Sequence, residues 1–199
     1  MCAVLVIGVV GTATNALILY ALVASKQHKK HVLILHQNVL ELFTSFFMVI
    51  IYSLKLCNIY LTRSVGYWLC KLLLSESLIW CGTLASVINL AAITVERYLK
   101  VVHAAWSKTK LRNWMIYTAM AFAWILSFIV DIVAVFPTHT VIDGACYSSA
   151  IWYNETAKSI YYIYNFVSFY VIILFIFIFC YWRILIVIHR QAKASHNAA

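Results

Sequence analysis

Residues 70–103 read CKLLLSESLIWCGTLASVINLAAITVERYLKVVH, and this stretch decides the fold. From Leu78 to Val95 it is uncharged and mostly apolar, and the acid–base pair Glu96-Arg97 follows directly. An uncharged apolar run of about 18 residues predicts a membrane-spanning helix. This helix has Cys70 near one end and the triplet Glu96-Arg97-Tyr98 at the other, and we expect the remaining segments to pack around it.

The composition of the whole chain agrees with a membrane protein. It has 199 residues, of which 65% are hydrophobic and 11% charged, whereas soluble domains carry about 25% charged residues. We therefore predict an all-α, polytopic membrane helix bundle that contacts the lipid bilayer. The net charge of +9 is concentrated between the apolar runs, as is usual for loops on the inner side of a membrane, and does not indicate nucleic-acid binding.

Five apolar runs divide the chain into a single transmembrane domain covering residues 1–199. The predicted spans are approximately residues 2–24, 32–57, 67–99, 114–136 and 158–188. The sequence contains no metal-type cluster, no glycine-rich phosphate loop and no nucleophile constellation, so we expect no enzyme activity and no cofactor. A transporter is also disfavoured, because no internal repeat is evident.

Several residues together resemble the rhodopsin-like (class A) G-protein-coupled receptors. The triplet Glu96-Arg97-Tyr98 matches the [Asp/Glu]-Arg-Tyr motif at the inner end of helix 3 of that family. Further matches are Asn15 in the first span, Trp124 as a helix-packing residue of the fourth span, and Tyr181 at the inner end of the fifth. The resemblance implies a receptor that transmits the binding of an extracellular ligand to a heterotrimeric G protein. It also implies that Glu96 pairs with Arg97 at rest, and that Arg97 later reaches toward Tyr181 and the G protein.

Four polar residues inside the spans form a candidate intramembrane network: Asn15, Glu41, Ser86 and Asn89. The resemblance implies a bond from Asn15 to a neighbouring helix, with a plain packing amide as the alternative. A carboxylate near mid-membrane is costly and faces the bundle interior, so Glu41 is either functional or a protonated acid bonded to Asn15. The family binds sodium there between an Asp and a helix 3 Ser. Glu41 and Ser86 match these positions, but the longer side chain of Glu41 argues against an intact site, and we assign no metal.

Two cysteines fall in predicted outside segments, where disulfides are permitted. The resemblance implies that Cys70 pairs with Cys146. Arg97 lies 27 positions after Cys70, a spacing longer than the family pattern, so Cys70 is expected slightly further out. A glycosylation sequon at Asn154 falls in the same outer loop as Cys146.

The distribution of Lys and Arg predicts the orientation. With the N-terminus extracellular, eleven of these residues are inside and four outside, and the excess marks the cytoplasmic side. The same orientation puts the cysteines and the sequon outside and the Glu-Arg-Tyr triplet inside. We therefore expect a multi-pass protein of the cell membrane.

The ligand is not identified by the sequence. Ile79 stands near the position that amine receptors use for an Asp, which disfavours an amine, and the outer aromatic residues slightly favour a peptide, although they equally suit an interfacial belt. Glu76 and Asp131 lie near outer helix ends. The first is an interfacial acid or a ligand contact, and the second is expected at the interface.

The motifs of family helices 6 and 7 do not occur in this sequence, whose only proline is Pro137. We therefore expect a receptor truncated after helix 5, a fragment that does not signal alone. The alternative is a non-signalling membrane interaction protein that associates with full-length receptors.

Overall fold

The computed structural model describes residues 1–26, 32–57, 63–110, 112–134, 139–142, 144–148, 156, 159–160, 163–164 and 167–198. Structural statements below concern these residues. The helices are α1 Cys2–Ala24, α2 Val32–Leu56, α3 Arg63–Leu69, α4 Ser77–Val102, α5 Ala104–Lys110, α6 Asn113–Ala134 and α7 Ile172–Ala198, with π-helical turns at Cys70–Leu74 and Val167–Val171.

The helix α4 is the centre of the bundle. It packs against α2 on one side and against α6 and α7 on others, while α1 packs against α2. This arrangement follows from the sequence, because α4 carries the small and polar residues that allow close packing from several directions. Cys81, Ala85 and Asn89, spaced four residues apart on one stripe of α4, are all buried.

Five helical segments are long and apolar enough to cross a membrane: Cys2–Ala24, Val32–Leu56, Ser64–Val102, Trp114–Val133 and Ile172–Lys193. Their outward faces carry large apolar side chains, for example Leu17, Val133 and Phe175, which are mostly exposed. Such faces suit lipid, where no hydrophobic effect drives helices together. The prediction of an all-α, polytopic bundle with five spans is confirmed.

The third span is interrupted, which the sequence analysis did not anticipate. It extends from α3 through a π-helical turn at Cys70–Leu74 to a break at Ser75 and Glu76, after which α4 begins. Glu76 adopts a left-handed backbone with φ of 62°. A π turn accommodates an extra residue in a helix, so the turn and the break absorb the long spacing between Cys70 and Arg97. The predicted span of residues 67–99 lies within the Ser64–Val102 segment, and the break at Ser75 and Glu76 is a feature inside it.

The segment after α6 contains a short hairpin that the sequence did not indicate. Its strands are β1 His139–Ile142 and β2 Ala145–Ser148, which pair antiparallel with Val141 opposite Cys146. Gly144 in the connecting turn has φ of 76°, a conformation that glycine adopts without steric cost. The hairpin is the element that brings Cys146 to the third span.

A close helix contact involves Gly82 of α4. A Cβ atom at this glycine would collide with the Oγ1 atom of Thr44 and would lie 3.1 Å from the ring of Phe43, both in α2. The absence of a side chain at Gly82 therefore allows α2 and α4 to approach closely enough for their polar side chains to bond.

Candidate functional site

The bundle contains one connected series of hydrogen bonds that joins α2, α4 and α6. We call it the central polar chain: it runs from Trp124 through His36 and Asn89 to Gln37, which bonds to both Glu41 and Ser86.

The direction of the first two bonds is fixed by the indole of Trp124, which can only donate. It donates to Nε2 of His36 at 2.9 Å. Because Nε2 must accept, the proton of the neutral imidazole lies on Nδ1, which then donates to Oδ1 of Asn89 at 3.0 Å. Trp124 is also held by an edge-to-face contact with Phe43 of α2 and by stacking on Phe128. It therefore packs α6 against α2.

The next bonds place Gln37 at the junction of the chain. Asn89 donates to Oε1 of Gln37 at 2.8 Å and to the backbone oxygen of Leu33 at 3.2 Å. The amide nitrogen of Gln37 donates to Oε1 of Glu41 at 2.8 Å, and also makes a short contact with the hydroxyl of Ser86. Gln37 is 6% exposed and Asn89 is 1% exposed, so both amides are removed from water and depend on these partners.

Three of the four residues singled out for the intramembrane network, Glu41, Ser86 and Asn89, are therefore connected in the structure. The connection passes through residues that were not singled out for it. Gln37 and His36 are the additional members. The signal for Gln37 was its spacing, because it precedes Glu41 by four residues on the same helix face. The signal for His36 was weaker, since it depends on Trp124, 88 residues later in the chain.

The fourth residue, Asn15, is hydrogen-bonded within its own helix. Its amide nitrogen donates to the backbone oxygen of Gly11 at 2.9 Å, a local bond that polar side chains often form one turn back along a helix. The contact between α1 and α2 instead uses glycines, with Gly8 against Val49 and Gly11 against Ser45. Asn15 is not joined to the central polar chain.

The N-terminal end of the third span is fixed by the disulfide between Cys70 and Cys146, whose Cα atoms are 5.5 Å apart. This bond confirms the pairing that the resemblance implied. Cys70 itself is fully buried, so the cysteine is inside this packed end of the bundle rather than in a free loop. The glycosylation sequon at Asn154 lies outside the described residues.

A second feature of this end is an ion pair between α2 and the break in the third span. Nζ of Lys55 lies 2.5 Å from Oε1 of Glu76, which also accepts a hydrogen bond of 3.0 Å from the hydroxyl of Tyr52. Both α2 residues therefore point at a residue that has a left-handed backbone. Glu76 is neither isolated nor fully exposed, and its carboxylate links α2 to the start of α4.

Asp131 near the end of α6 is buried, at 8% exposed. The hydroxyl of Ser77, the first residue of α4, bonds to its Oδ2 atom, while its Oδ1 atom is buried without a partner among the described residues. A buried oxygen without a hydrogen-bond partner is costly in free energy.

At the opposite end of α4, Glu96 pairs with Lys100 and not with Arg97. Nζ of Lys100 lies 2.5 Å from Oε1 of Glu96, and the two residues are one helical turn apart. The reason is geometric: residues four apart lie on the same helix face, whereas adjacent residues diverge. Arg97 is exposed, and in the described part of the chain no ion pair is found for it. The pairing implied by the resemblance is therefore not the one in this conformation.

The aromatic residues of this end connect α4 to α7. The ring of Tyr98 lies 6.1 Å from that of Phe179 and 5.7 Å from the ring of His103. Tyr181, two residues after Phe179, is 51% exposed, and no hydrogen bond joins it to Arg97 among the described residues. The side chains of Arg97 and Tyr181 are thus both exposed at this end of the bundle.

The comparison with known families gives one finding. A model of the family described as 7 transmembrane receptor (rhodopsin family) matches residues 14–199. Among curated proteins no match to the chain is found. The matched region begins inside α1 and includes the central polar chain, the disulfide and the Glu96-Arg97-Tyr98 triplet.

Proposed function

Because the chain belongs to the rhodopsin family of seven-transmembrane receptors, we propose that Arg97 and Tyr181 form its contact with a heterotrimeric G protein. The observation that carries the proposal is the exposed guanidinium of Arg97 at the end of α4. Glu96 is engaged by Lys100, so it does not cover Arg97. A fixed cation with five donors suits the backbone carbonyls and carboxylates of a docking helix.

The proposed orientation places the N-terminus outside the cell and the triplet in the cytoplasm. Ser77 and Arg97 are separated by twenty residues of helix, a rise of about 30 Å, which matches the hydrocarbon thickness of a bilayer. The disulfide and Arg97 are therefore on opposite sides of the membrane. The excess of Lys and Arg on the side of Arg97 supports its cytoplasmic placement.

The proposed ligand site lies at the outer ends of the helices, beside the disulfide-bonded hairpin. An outside ligand that binds one packing of the helices better than another shifts the population toward it. Ile79 in α4 cannot pair with an ammonium group, so a peptide suits the site better than an amine. The described residues contain five candidate spans.

The test is site-specific photo-crosslinking of the chain in cell membranes. A photo-reactive side chain replaces Trp106, an exposed residue of α5 close to the triplet, and the product is probed for the G protein α subunit. We expect capture of the α subunit, reduced several-fold by Arg97→Ala. Arg190→Ala removes an equal charge from the exposed part of α7 and is the matched control, so capture should persist there.

Two results would contradict the proposal. The first is the absence of α-subunit capture at Trp106. The second is an equal loss with Arg97→Ala and Arg190→Ala, which indicates a general effect of charge. Capture of a full-length receptor without the α subunit would instead support a non-signalling membrane interaction protein.

A further inference from the structure

The candidate sodium site of this chain is occupied by one of its own side chains. The family's site lies between the carboxylate and the hydroxyl that here belong to Glu41 and Ser86. In the structure the amide nitrogen of Gln37 contacts both oxygens, at 2.8 Å from Oε1 of Glu41 and at short range from Oγ of Ser86. The two N–H groups of this amide match the two acceptors. The residues present therefore do not fit a bound cation.

The position of Gln37 is held from its other side. Its oxygen accepts the hydrogen bond from Asn89, and Asn89 in turn bonds to His36 and to the backbone of Leu33. A cation that bridged Glu41 and Ser86 would have to displace the amide nitrogen. That displacement would leave two amides with incomplete hydrogen bonding, and both Gln37 and Asn89 are buried.

We propose that the side-chain amide of Gln37 replaces the sodium ion as the link between α2 and α4, and that this protein does not respond to sodium. The same geometry predicts that removal of the amide opens a cation site. Glu41 and Ser86 then keep their oxygens but lose the donor between them, and sodium, a hard cation that takes oxygen ligands, can enter. The inference depends only on the packing of α2 and α4, and its test is separate from G-protein contact.

The experiment measures thermal unfolding of the purified full chain in detergent, by circular dichroism. Sodium chloride is compared with N-methyl-D-glucamine chloride at the same ionic strength, so that only the identity of the cation changes. The unchanged chain should give the same Tm in both salts. Gln37→Leu should have a lower Tm than the unchanged chain in both salts. Its Tm should be higher in sodium chloride than in N-methyl-D-glucamine chloride. Adding Ser86→Ala to Gln37→Leu should abolish that gain.

Asn38→Leu is the matched control. Asn38 is the neighbouring buried amide of α2, 8% exposed, and it donates to the backbone oxygen of Ile34 in its own helix at 2.8 Å. Its replacement removes an amide of similar burial without opening the space between Glu41 and Ser86, so no sodium dependence should appear.

A sodium-specific rise in the Tm of the unchanged chain would overturn the proposal. So would a folded Gln37→Leu variant that has no sodium dependence, or an Asn38→Leu variant that has the same dependence as Gln37→Leu. If Gln37→Leu does not fold, Gln37→Met keeps an unbranched side chain of similar length without the amide, and the same comparison decides. Line broadening in ²³Na NMR with the unchanged chain gives an independent result, since specific broadening would also contradict the inference.

Discussion

Replacing Glu76 by glutamine tests whether an ion pair holds the break in the third span. The variant keeps the length of the side chain and its left-handed backbone, but removes the charge that faces Lys55. The side chains of Lys55 and Glu76 are 24% and 27% exposed. Exposed pairs contribute about 0–1 kcal/mol, and breaking a fully buried pair costs about 3–5 kcal/mol. Because both side chains are about one quarter exposed, solvent screens the pair in part. We therefore expect a coupling free energy between Lys55 and Glu76 of about 1–2 kcal/mol.

The assay is a double-mutant cycle on the stability of the full chain in detergent. The variants are Lys55→Met, Glu76→Gln and their combination, and stability is measured by thermal unfolding. For a chain of this size about 1 kcal/mol corresponds to about 2–4 °C in Tm. The coupling should fall when salt is raised, because the pair is partly exposed. The cycle of Lys100→Met with Glu96→Gln is the control, and this more exposed pair, with Lys100 at 54%, should couple by less than about 1 kcal/mol.

The backbone contribution is separated by Glu76→Gly. Glycine adopts φ of 62° without the steric cost of about 1–2 kcal/mol that other residues bear there. The comparison is made in a Tyr52→Phe background, which removes the hydrogen bond that glutamine would keep and glycine would lose. There the glycine variant should be more stable than Glu76→Gln by about 1 kcal/mol, although both lack the ion pair. Zero coupling in the cycle, or a glycine variant less stable than the glutamine variant, would refute the idea that the ion pair compensates a strained backbone.

Three further predictions concern the packing of the bundle and are measured by thermal unfolding. Gly82→Ala should destabilise by about 1–3 kcal/mol, because the added methyl group meets Thr44 in a packed interface. Cys146→Ser opens a disulfide between residues 76 positions apart and should cost about 4.5 kcal/mol on a chain-entropy estimate. Ser77→Ala should cost about 1–3 kcal/mol, because it leaves the buried carboxyl of Asp131 without its described partner.

Each of these predictions has a matched control. Gly8→Ala meets the side chain of Val49 at 3.0 Å, a milder contact, so it should destabilise less than Gly82→Ala. Cys2→Ser changes a free, exposed cysteine and should leave stability unchanged. Thr118→Ala removes an exposed hydroxyl that bonds only within α6, so a loss as large as that of Ser77→Ala would contradict the explanation given for Asp131.

Much of the site was predictable because its signals are local. Glu96, Arg97 and Tyr98 stand where an apolar run ends, and a polar residue such as Glu41 within a span is conspicuous. The resemblance implied a pair between Glu96 and Arg97, whereas Lys100, one helical turn away, is the partner in the structure. Gln37 was overlooked as a member of the site for a different reason, since its importance depends on which helices face each other.

The sequence by itself determined that this chain forms five apolar helices. It also determined that Cys70 and Arg97 lie at opposite ends of the third one. These properties follow from hydrophobicity and length along one segment, and need no knowledge of its neighbours. Only the tertiary structure decided that α4 begins after a π turn and a left-handed Glu76, that a hairpin delivers Cys146 to Cys70, and that Gln37 lies between Glu41 and Ser86. These features depend on contacts between residues far apart in the chain, and a hydrogen bond or steric contact exists only once two helices have packed at a particular distance and rotation.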